Sequence, residues 1–129
     1  MTGKTRPDDA TILDSDRLFR RVRLNQLFTE PDGSQRPTSA VFKNPELSVN
    51  IESLMVEQGR PPEDSLSGFP NEYLTSIIAG QVREYHYPIV KDTDPPNDPA
   101  HGLVLGKKTD AFANAMVRAQ QWVVSPPKK

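Results

Sequence analysis

Alternating apolar and polar positions along the chain predict a set of short strands. The run Leu47-Ser-Val-Asn-Ile51 places aliphatic side chains on one face and polar side chains on the other, as in a half-buried strand. Two further strands are predicted over Ala40–Phe42 and over the apolar run Ala100–Gly106. The segment Arg17–Leu24 fits a strand or a helix capped by Ser15, and its β-branched and aromatic residues favour the strand.

The segment 73–85 has two interpretations. Its aromatic and aliphatic residues keep the spacing of one continuous helix. We prefer a break at Gly80, which gives a strand over residues 74–79 and a short helix over residues 81–85. The strand that follows contains Pro88, and this residue predicts a position at the edge of a sheet because proline cannot donate to a ladder.

Helical periodicity is clearest after Thr109, which can cap a helix from Asp110 to about Val124. A shorter helix is predicted over residues 52–58, and Gly59 ends it. Strands followed by alternating strands and helices predict an α+β fold. We expect a small mixed sheet with the C-terminal amphipathic helix packed on one face.

A chain of 129 residues has the length of one domain. We predict a single α+β domain over residues 16–124, between a flexible N-terminal arm (residues 1–15) and a flexible tail (residues 125–129). Thirteen prolines are about twice the usual share of ~5%. They predict stiff loops at three places: residues 60–62, 94–99 and 125–127.

Composition excludes several classes of function. The chain has no cysteine, which rules out disulfides, thiolate metal sites and cysteine nucleophiles, and two histidines are too few for most imidazole-rich metal sites. A carboxylate-only site for a hard cation stays open, but we predict no metal and no cofactor. No apolar stretch has the length of a membrane span or a signal peptide, so we expect a cytoplasmic protein with no membrane partner. A pI near 6.1 argues against general binding of duplex DNA.

Charge is unevenly distributed along the chain. Residues 16–43 carry six basic and three acidic groups, whereas residues 44–72 carry one basic and six acidic groups. One interpretation is a basic patch around Arg20, Arg21 and Arg23 that meets a phosphate or an acidic partner. The other is solvated loops and ion pairs between the two blocks. If the segment is a strand, adjacent arginines point to opposite faces, and only one of Arg20 and Arg21 can face a cleft.

His101 is the candidate for acid–base chemistry. It follows the proline loop and stands at the mouth of a predicted buried strand, and an imidazole with an ordinary pKa near ~6.5 transfers protons at neutral pH. Gly102 beside it allows a ligand or a backbone to approach closely. The alternative interpretation is a histidine that locks the turn by bonding loop carbonyls.

Two hydroxyl groups, those of Ser39 and Ser48, are candidates for orienting a substrate. Ser39 follows Arg36-Pro-Thr, and Ser48 lies on the polar side of its strand. In the alternative interpretation the hydroxyls satisfy turn backbone or face solvent. Glycine-rich phosphate-binding signatures are missing from the sequence. Lys107 and Lys108 ahead of a helix attract an anion only weakly.

Four strings occur in a fixed order: Asp16-Arg-Leu-Phe-Arg-Arg-Val22, Arg36-Pro-Thr-Ser-Ala-Val-Phe42, Leu47-Ser-Val49 and Pro99-Ala-His-Gly-Leu-Val-Leu-Gly106. Over residues 16–106 this pattern resembles a set of small uncharacterised bacterial proteins. That set has no established activity. The resemblance therefore implies a bacterial intracellular protein and no mechanism, and it draws attention to the arginine, serine and histidine candidates above.

Two functions are consistent with these residues. The first, which we favour from the sequence, is a non-catalytic accessory domain that binds another protein through its loops and charged blocks. The second is a small enzyme or effector that acts on a phosphate-bearing substrate, a nucleotide or RNA. There His101 is the acid or base and Arg20 or Arg21 binds the anion. This second function predicts that His101 and one arginine line a common pocket; partner, substrate and oligomeric state stay open.

Overall fold

The computed structural model describes residues 6–129 and is built from eight strands and three short helices. In chain order they are β1 (Arg17–Val22), β2 (Leu27–Thr29), β3 (Gln35–Pro37), β4 (Glu46–Ile51), α1 (Glu52–Glu57), β5 (Tyr73–Ile78), α2 (Ala79–Arg83), β6 (Ile89–Lys91), β7 (His101–Leu105), α3 (Asp110–Ala119) and β8 (Gln121–Val124). The predicted α+β class is confirmed. Within the described part of the chain, none of the helices is long and apolar enough to cross a membrane.

Six strands form one sheet in the order β6-β7-β4-β1-β5-β8, and β2 and β3 form a separate hairpin. Every pairing is antiparallel, so the prediction of a mixed sheet is wrong. The short lengths of α1 and α2 explain why the strands next to them pair in an antiparallel manner. With six and five residues, α1 and α2 are only about 8–9 Å long. A strand of six residues is about 20 Å long, and a helix this short cannot return the chain to the start of a parallel neighbour.

The sheet has two faces with separate apolar clusters. One face, here the helix face, carries alternate residues of β1 and β4 and is covered by α3, whose Phe112, Ala113 and Met116 are buried. The predicted packing of this helix on one face is confirmed. The opposite face, here the cleft face, has a smaller cluster around Phe19 and Leu74 that α1 partly covers. The cleft face therefore has less apolar cover.

Local alternation predicts most of the strands correctly. The predictions over Arg17–Leu24, Leu47–Ile51 and Ala100–Gly106 are confirmed by β1, β4 and β7, and β6 lies at a sheet edge as predicted. The preferred division of residues 73–85 into a strand and a short helix is also confirmed, but the break falls between Ile78 and Ala79, and Gly80 lies within α2.

Two predicted elements are wrong. Ala40–Phe42 is part of a 3-10 turn over Ser39–Phe42 that buries both Val41 and Phe42, and a strand cannot place adjacent side chains on one side. The last helix ends at Ala119, not near Val124, and the following four residues form β8. Tryptophan and two valines favour a strand, and the free edge of β5 supplies their backbone partners.

The flexible arm predicted over residues 1–15 is only partly within the described residues, because residues 1–5 lie outside them. The next ten residues pack against the sheet. The amide of Asp9 donates to the carbonyl of Ile89 at 2.8 Å, and Ile12 is only 1% exposed. This segment therefore contributes to the core and does not extend away from it.

The predicted flexible tail, residues 125–129, lies against the β2–β3 hairpin. The side chain of Gln35 donates to the carbonyl of Pro127 at 2.7 Å, and the amide of Lys129 donates to the carbonyl of Gly33 at 2.8 Å. Pro126 is buried. These contacts place the tail on the hairpin.

Candidate functional site

The central strands β1 and β4 pair at one end and separate at the other, an arrangement here called the fork. Among the described residues their ladder contains only the pairs Leu18–Ile51 and Phe19–Asn50, whereas β1 pairs with β5 over its full length. Beyond Phe19 the two strands diverge. A gap of this kind inside a sheet leaves backbone polar groups that need other partners.

Arg20 closes the fork from the helix face. Its Nη1 donates to the carbonyl of Ser48 at 3.1 Å, and its Nε donates to the carbonyl of Val41 at 3.1 Å. Among the described residues no carboxylate lies within ion-pair distance of this guanidinium. Burial, and then the charges of Arg21 and Arg23, lower the pKa of Arg20 to about 10. Arg20 therefore remains charged at neutral pH and holds the splayed strands together.

On the cleft face the fork opens into a polar cleft. A narrow inner pocket of about 30 Å³ lies at the fork, and an outer cleft of about 560 Å³ lies above it. Both are lined by Arg21, Asn50, Ser65 and His101. The sheet register brings these residues together, because Asn50 pairs with Phe19 of β1 on one side and with His101 of β7 on the other.

The imidazole of His101 is oriented by Asp92. Its Nδ1 lies 3.1 Å from the backbone carbonyl of Asp92 and 3.1 Å from the carboxylate atom Oδ2 of the same residue. Both partners are acceptors, so the hydrogen-bond pattern assigns the proton to Nδ1. In the neutral ring Nε2 is then the atom with a free lone pair. This arrangement leaves Nε2 to accept a proton from a ligand.

Arg21 is held loosely on the wall of the cleft. Its guanidinium carbon lies 3.8 Å from the ring centroid of Phe69. Its polar contacts are long, 3.6 Å from Nε to the carboxylate of Glu72 and 3.4 Å from Nη1 to the carbonyl of Ser65. Contacts of this length are weak. Arg21 therefore keeps N–H donors for an anion. A guanidinium presents these donors in parallel pairs, which match the oxygens of a phosphate or a carboxylate.

A buried amide and hydroxyl fix the floor of the cleft. The side-chain amide of Asn50 donates to Oγ of Ser65 at 3.0 Å, and both residues are buried. The sequence predicted neither as a site residue. Asn50 lies on the same polar side of its strand as Ser48, and this position is visible in the sequence. No local pattern distinguishes a polar residue in a cleft from one in solvent.

The proline loop before His101 is locked by a bidentate ion pair. Nη1 and Nη2 of Arg60 lie 2.8 and 2.7 Å from the two carboxylate oxygens of Asp98. The same carboxylate accepts the amide of Ala100 at 2.7 Å. The hydrogen bond from Arg60 is the main reason that the pKa of Asp98 is below its ordinary value. The loop is thereby held in the position that presents His101.

Replacing Asp98 with Asn should lower the free energy of unfolding by about 1–2 kcal/mol at neutral pH, because it breaks a bidentate, partly buried pair. The folded-state pKa of Asp98 is below 3.8. Its contribution is therefore present at neutral pH and is lost as the pH falls below that value. Urea unfolding at pH 7 and pH 3 measures both effects.

The control for this measurement is Lys43→Gln. It breaks the exposed ion pair of Lys43 with Asp110, and such pairs contribute about 0–1 kcal/mol. A loss for Asp98→Asn no larger than that of the control, or a loss that is the same at pH 7 and pH 3, would show that the pair does not hold the loop.

The five candidate residues from the sequence fall into three places. Arg21, Ser48 and His101 line the cleft face. Arg20 closes the fork from the opposite face, as the alternation of a strand requires. Ser39 begins the 3-10 turn that packs toward α3 and does not line the cleft, because the chain after Pro37 turns to the helix face.

Of the two lysines before α3, Lys108 points into the protein. Nζ of Lys108 lies 2.6–3.4 Å from four backbone carbonyls, those of Asn44, Pro45, Val104 and Gly106. Burial lowers the pKa of Lys108 to about 8. The ammonium group therefore binds the ends of β4 and β7 and does not attract an anion to the helix.

Comparisons with known proteins give no further assignment. No protein-family model, no curated protein and no solved structure matches this chain. Over residues 6–129 there is no group of three or more histidine, aspartate or glutamate side chains placed to hold a metal ion. The groups of the cleft that can interact with a ligand are its arginines, its histidine and the side-chain amide of Asn50.

Proposed function

We propose that the cleft binds a phosphate-bearing ligand, a nucleotide or the end of an RNA strand, and acts on it by acid–base chemistry. His101 is the acid or base and Arg21 binds the anion. One observation carries the proposal: His101 and Arg21 line the same cleft, and Asp92 occupies Nδ1 of His101 so that Nε2 is left for a ligand. An oriented histidine beside a cation with free donors is a common arrangement for such chemistry.

The size of the cleft supports a small ligand. Its volume of about 560 Å³ falls within the usual range of about 300–1,000 Å³ for ligand sites. The guanidinium of Arg21, stacked on Phe69, gives one wall a flat surface. A planar base can stack on such a surface.

Charge at the inner end of the cleft also supports an anionic ligand. Arg20 and Arg21 line the inner pocket, and in a neighbouring hollow they lie with Arg23 and with Glu72 as the one acidic residue among its lining groups. The excess of positive charge attracts an anion from solution. The acidic residues that line the outer cleft, Asp64 and Asp98, are both paired with Arg60.

Proton NMR of the two histidines tests binding directly. The chain contains only His86 and His101, so the spectrum has two imidazole C2–H resonances. Titration with adenosine monophosphate should shift the His101 resonance and leave that of His86 in place. His86→Asn assigns the signals, and asparagine tolerates the positive φ of 66° at this position. If the His101 resonance does not move, the proposal fails.

Arg21→Met should weaken adenosine monophosphate about 10- to 100-fold, because a hydrogen bond to a charged group contributes about 1.5–3 kcal/mol. Methionine keeps a favourable contact with the ring of Phe69. The dissociation constant comes from the same histidine titration. Arg118→Met, at an exposed position of α3, is the control and should leave it unchanged. Equal affinities of the two variants would contradict the role of Arg21.

The protein-interaction function is a second proposal. Leu24, 65% exposed, lines a shallow, mainly apolar hollow with Arg23 and Glu72 at its border, and an apolar centre with a polar rim is the arrangement of a contact surface. A protein retained from lysate by the native chain but not by Leu24→Ser would support it. Equal retention by both chains, or none, would contradict it.

A further inference from the structure

We propose that the outer cleft is one end of a groove that binds a single strand of RNA, with two nucleotide sites joined by a phosphate site. The inference rests on the proposed function and narrows its ligand from a free nucleotide to a strand. The groove has three parts: the outer cleft, the neighbouring hollow of about 150 Å³, here the linking hollow, and the shallow hollow at Leu24. Each part matches one chemical unit of a strand.

Shared side chains place the three parts of the groove side by side. The linking hollow shares Arg21 and Phe69 with the outer cleft. It shares Arg23 and Glu72 with the hollow at Leu24. The chain order agrees with this arrangement, because Arg21 lies in β1, Arg23 follows the last residue of β1, and Leu24 begins the next turn. The segment that leaves β1 therefore lines the groove from one part to the next.

The linking hollow is suited to the phosphate between two nucleotides. Its charged lining consists of one acidic residue and three arginines: Glu72, Arg20, Arg21 and Arg23. Arg23 is exposed, and none of the ion pairs formed within residues 6–129 includes it. The volume of about 150 Å³ is below the range of about 300–1,000 Å³ that is usual for a whole small ligand. A hollow of this size and charge fits a linking phosphate better than a base.

The two parts on either side of the linking hollow are suited to bases. The outer cleft has the flat surface formed by Arg21 on Phe69. The hollow at Leu24 also has a volume of about 560 Å³, is mainly apolar, and is bordered by the exposed asparagines Asn25 and Asn71. A base has an apolar face and a polar edge, and a side-chain amide offers both a donor and an acceptor to such an edge. Arginines between two base sites favour a strand as the occupant, because a strand carries a phosphate at each step.

The position of His101 determines which part of the strand reaches the imidazole. His101 lines the outer cleft and lines neither the linking hollow nor the hollow at Leu24. A strand that fills the groove therefore presents its last nucleotide to His101. The next phosphate lies at Arg23, and the next base lies at Leu24.

Binding of short strands to the full chain tests the groove. Adenosine monophosphate fills only the outer cleft, whereas the ribonucleotides pApA and ApAp add a second base and a linking phosphate in the two possible strand directions. At least one of them should bind about tenfold or more tightly than adenosine monophosphate, because it gains a charged contact with an arginine. The C2–H resonance of His101 gives the dissociation constants. In ¹H–¹⁵N spectra the side-chain amide of Asn71 should shift with that dinucleotide and not with the mononucleotide.

Arg23→Met tests the phosphate site in the linking hollow. It should weaken the dinucleotide about tenfold and leave adenosine monophosphate unchanged, because only the dinucleotide reaches Arg23. The plot of log association constant against log salt concentration for the dinucleotide should become less steep by about 0.7, the contribution of one phosphate contact in a single strand. A purely structural role of Arg23 would not change this slope. Arg118→Met, at an exposed position of α3, is the matched control and should alter neither affinity nor slope.

The outcomes separate this inference from the proposed function. Tighter binding of a dinucleotide, lost in Arg23→Met, supports the groove. If neither dinucleotide binds more tightly than adenosine monophosphate, or if Arg23→Met binds both ligands as the native chain does, the groove is overturned and the proposed function stands. Tight binding with an unmoved Asn71 amide overturns the second base site. No shift of His101 with any of the three ligands overturns both proposals.

Discussion

Replacing His101 with Asn is expected to lower the turnover of a phosphate-bearing substrate by about 10²–10⁴-fold, the usual contribution of a general acid or base. Asparagine retains a donor that can bond Asp92 and lacks the second ring nitrogen. The substitution therefore removes the proton-transfer atom and keeps the anchor to the proline loop. Phosphorus NMR of the full chain with nucleoside mono-, di- and triphosphates, followed over time, measures the rate for the native chain and the variant.

The matched control is His86→Asn, which should retain the native rate, since His86 lies in the turn after α2 and does not line the cleft. Binding of the ligand to His101→Asn should change much less than turnover, because Arg21 is intact. If His101→Asn retains the native rate, or if the native chain binds these ligands and turns over none of them, the catalytic role of His101 is contradicted.

Replacing Ile12 with Ala is expected to lower the free energy of unfolding by about 2–5 kcal/mol, the usual cost of removing a large aliphatic side chain from a core. Ile12 belongs to the main apolar cluster with Val82 and Ile89. The segment around it is tied down, because Arg83 pairs with Asp8 at 3.1 Å and with Asp14 at 2.8 Å. Urea unfolding followed by tryptophan fluorescence measures the change.

Leu13→Ala is the neighbouring control. Its side chain is 57% exposed, and a surface substitution of this kind usually changes stability by less than about 0.5 kcal/mol. The two variants remove similar volumes from adjacent positions and differ in burial. Similar small losses for both would mean that the segment is a loose arm, as its polar composition suggests.

The part of the fold that depends on neighbouring residues was predictable, and the part that depends on distant ones was not. The alternation around Leu47 and Val49 predicts β4 because burial on one face has a period of two residues. The segment at Ile12 carries one buried residue, and the apolar residue next to it, Leu13, is exposed, so the segment has no period to detect. Trp122 follows an amphipathic helix without a break, and the free edge of β5 determines that it lies in a strand.

The candidate site divides in the same way. Arg20 and Arg21 lie on opposite faces of β1, which follows from the alternation of a strand alone, and both line the inner pocket. The approach of His101 to Arg21 depends on the register of β4 with both of its neighbours, which no short pattern contains. Asp92 and Asp98 were missed because acidic residues in a proline loop usually solvate it, and their contacts with His101 and Arg60 form only on folding.

The central place of β1 has a consequence for how the chain folds. Its two neighbours, β4 and β5, are made later during synthesis, and β5 begins only at Tyr73, in the second half of the chain. Until both have emerged from the ribosome, at least one edge of β1 is open, the kind of surface that pairs with other chains. Closing such long loops makes folding slower than in helical proteins of similar size. A newly made chain is therefore most exposed to aggregation before β5 is complete.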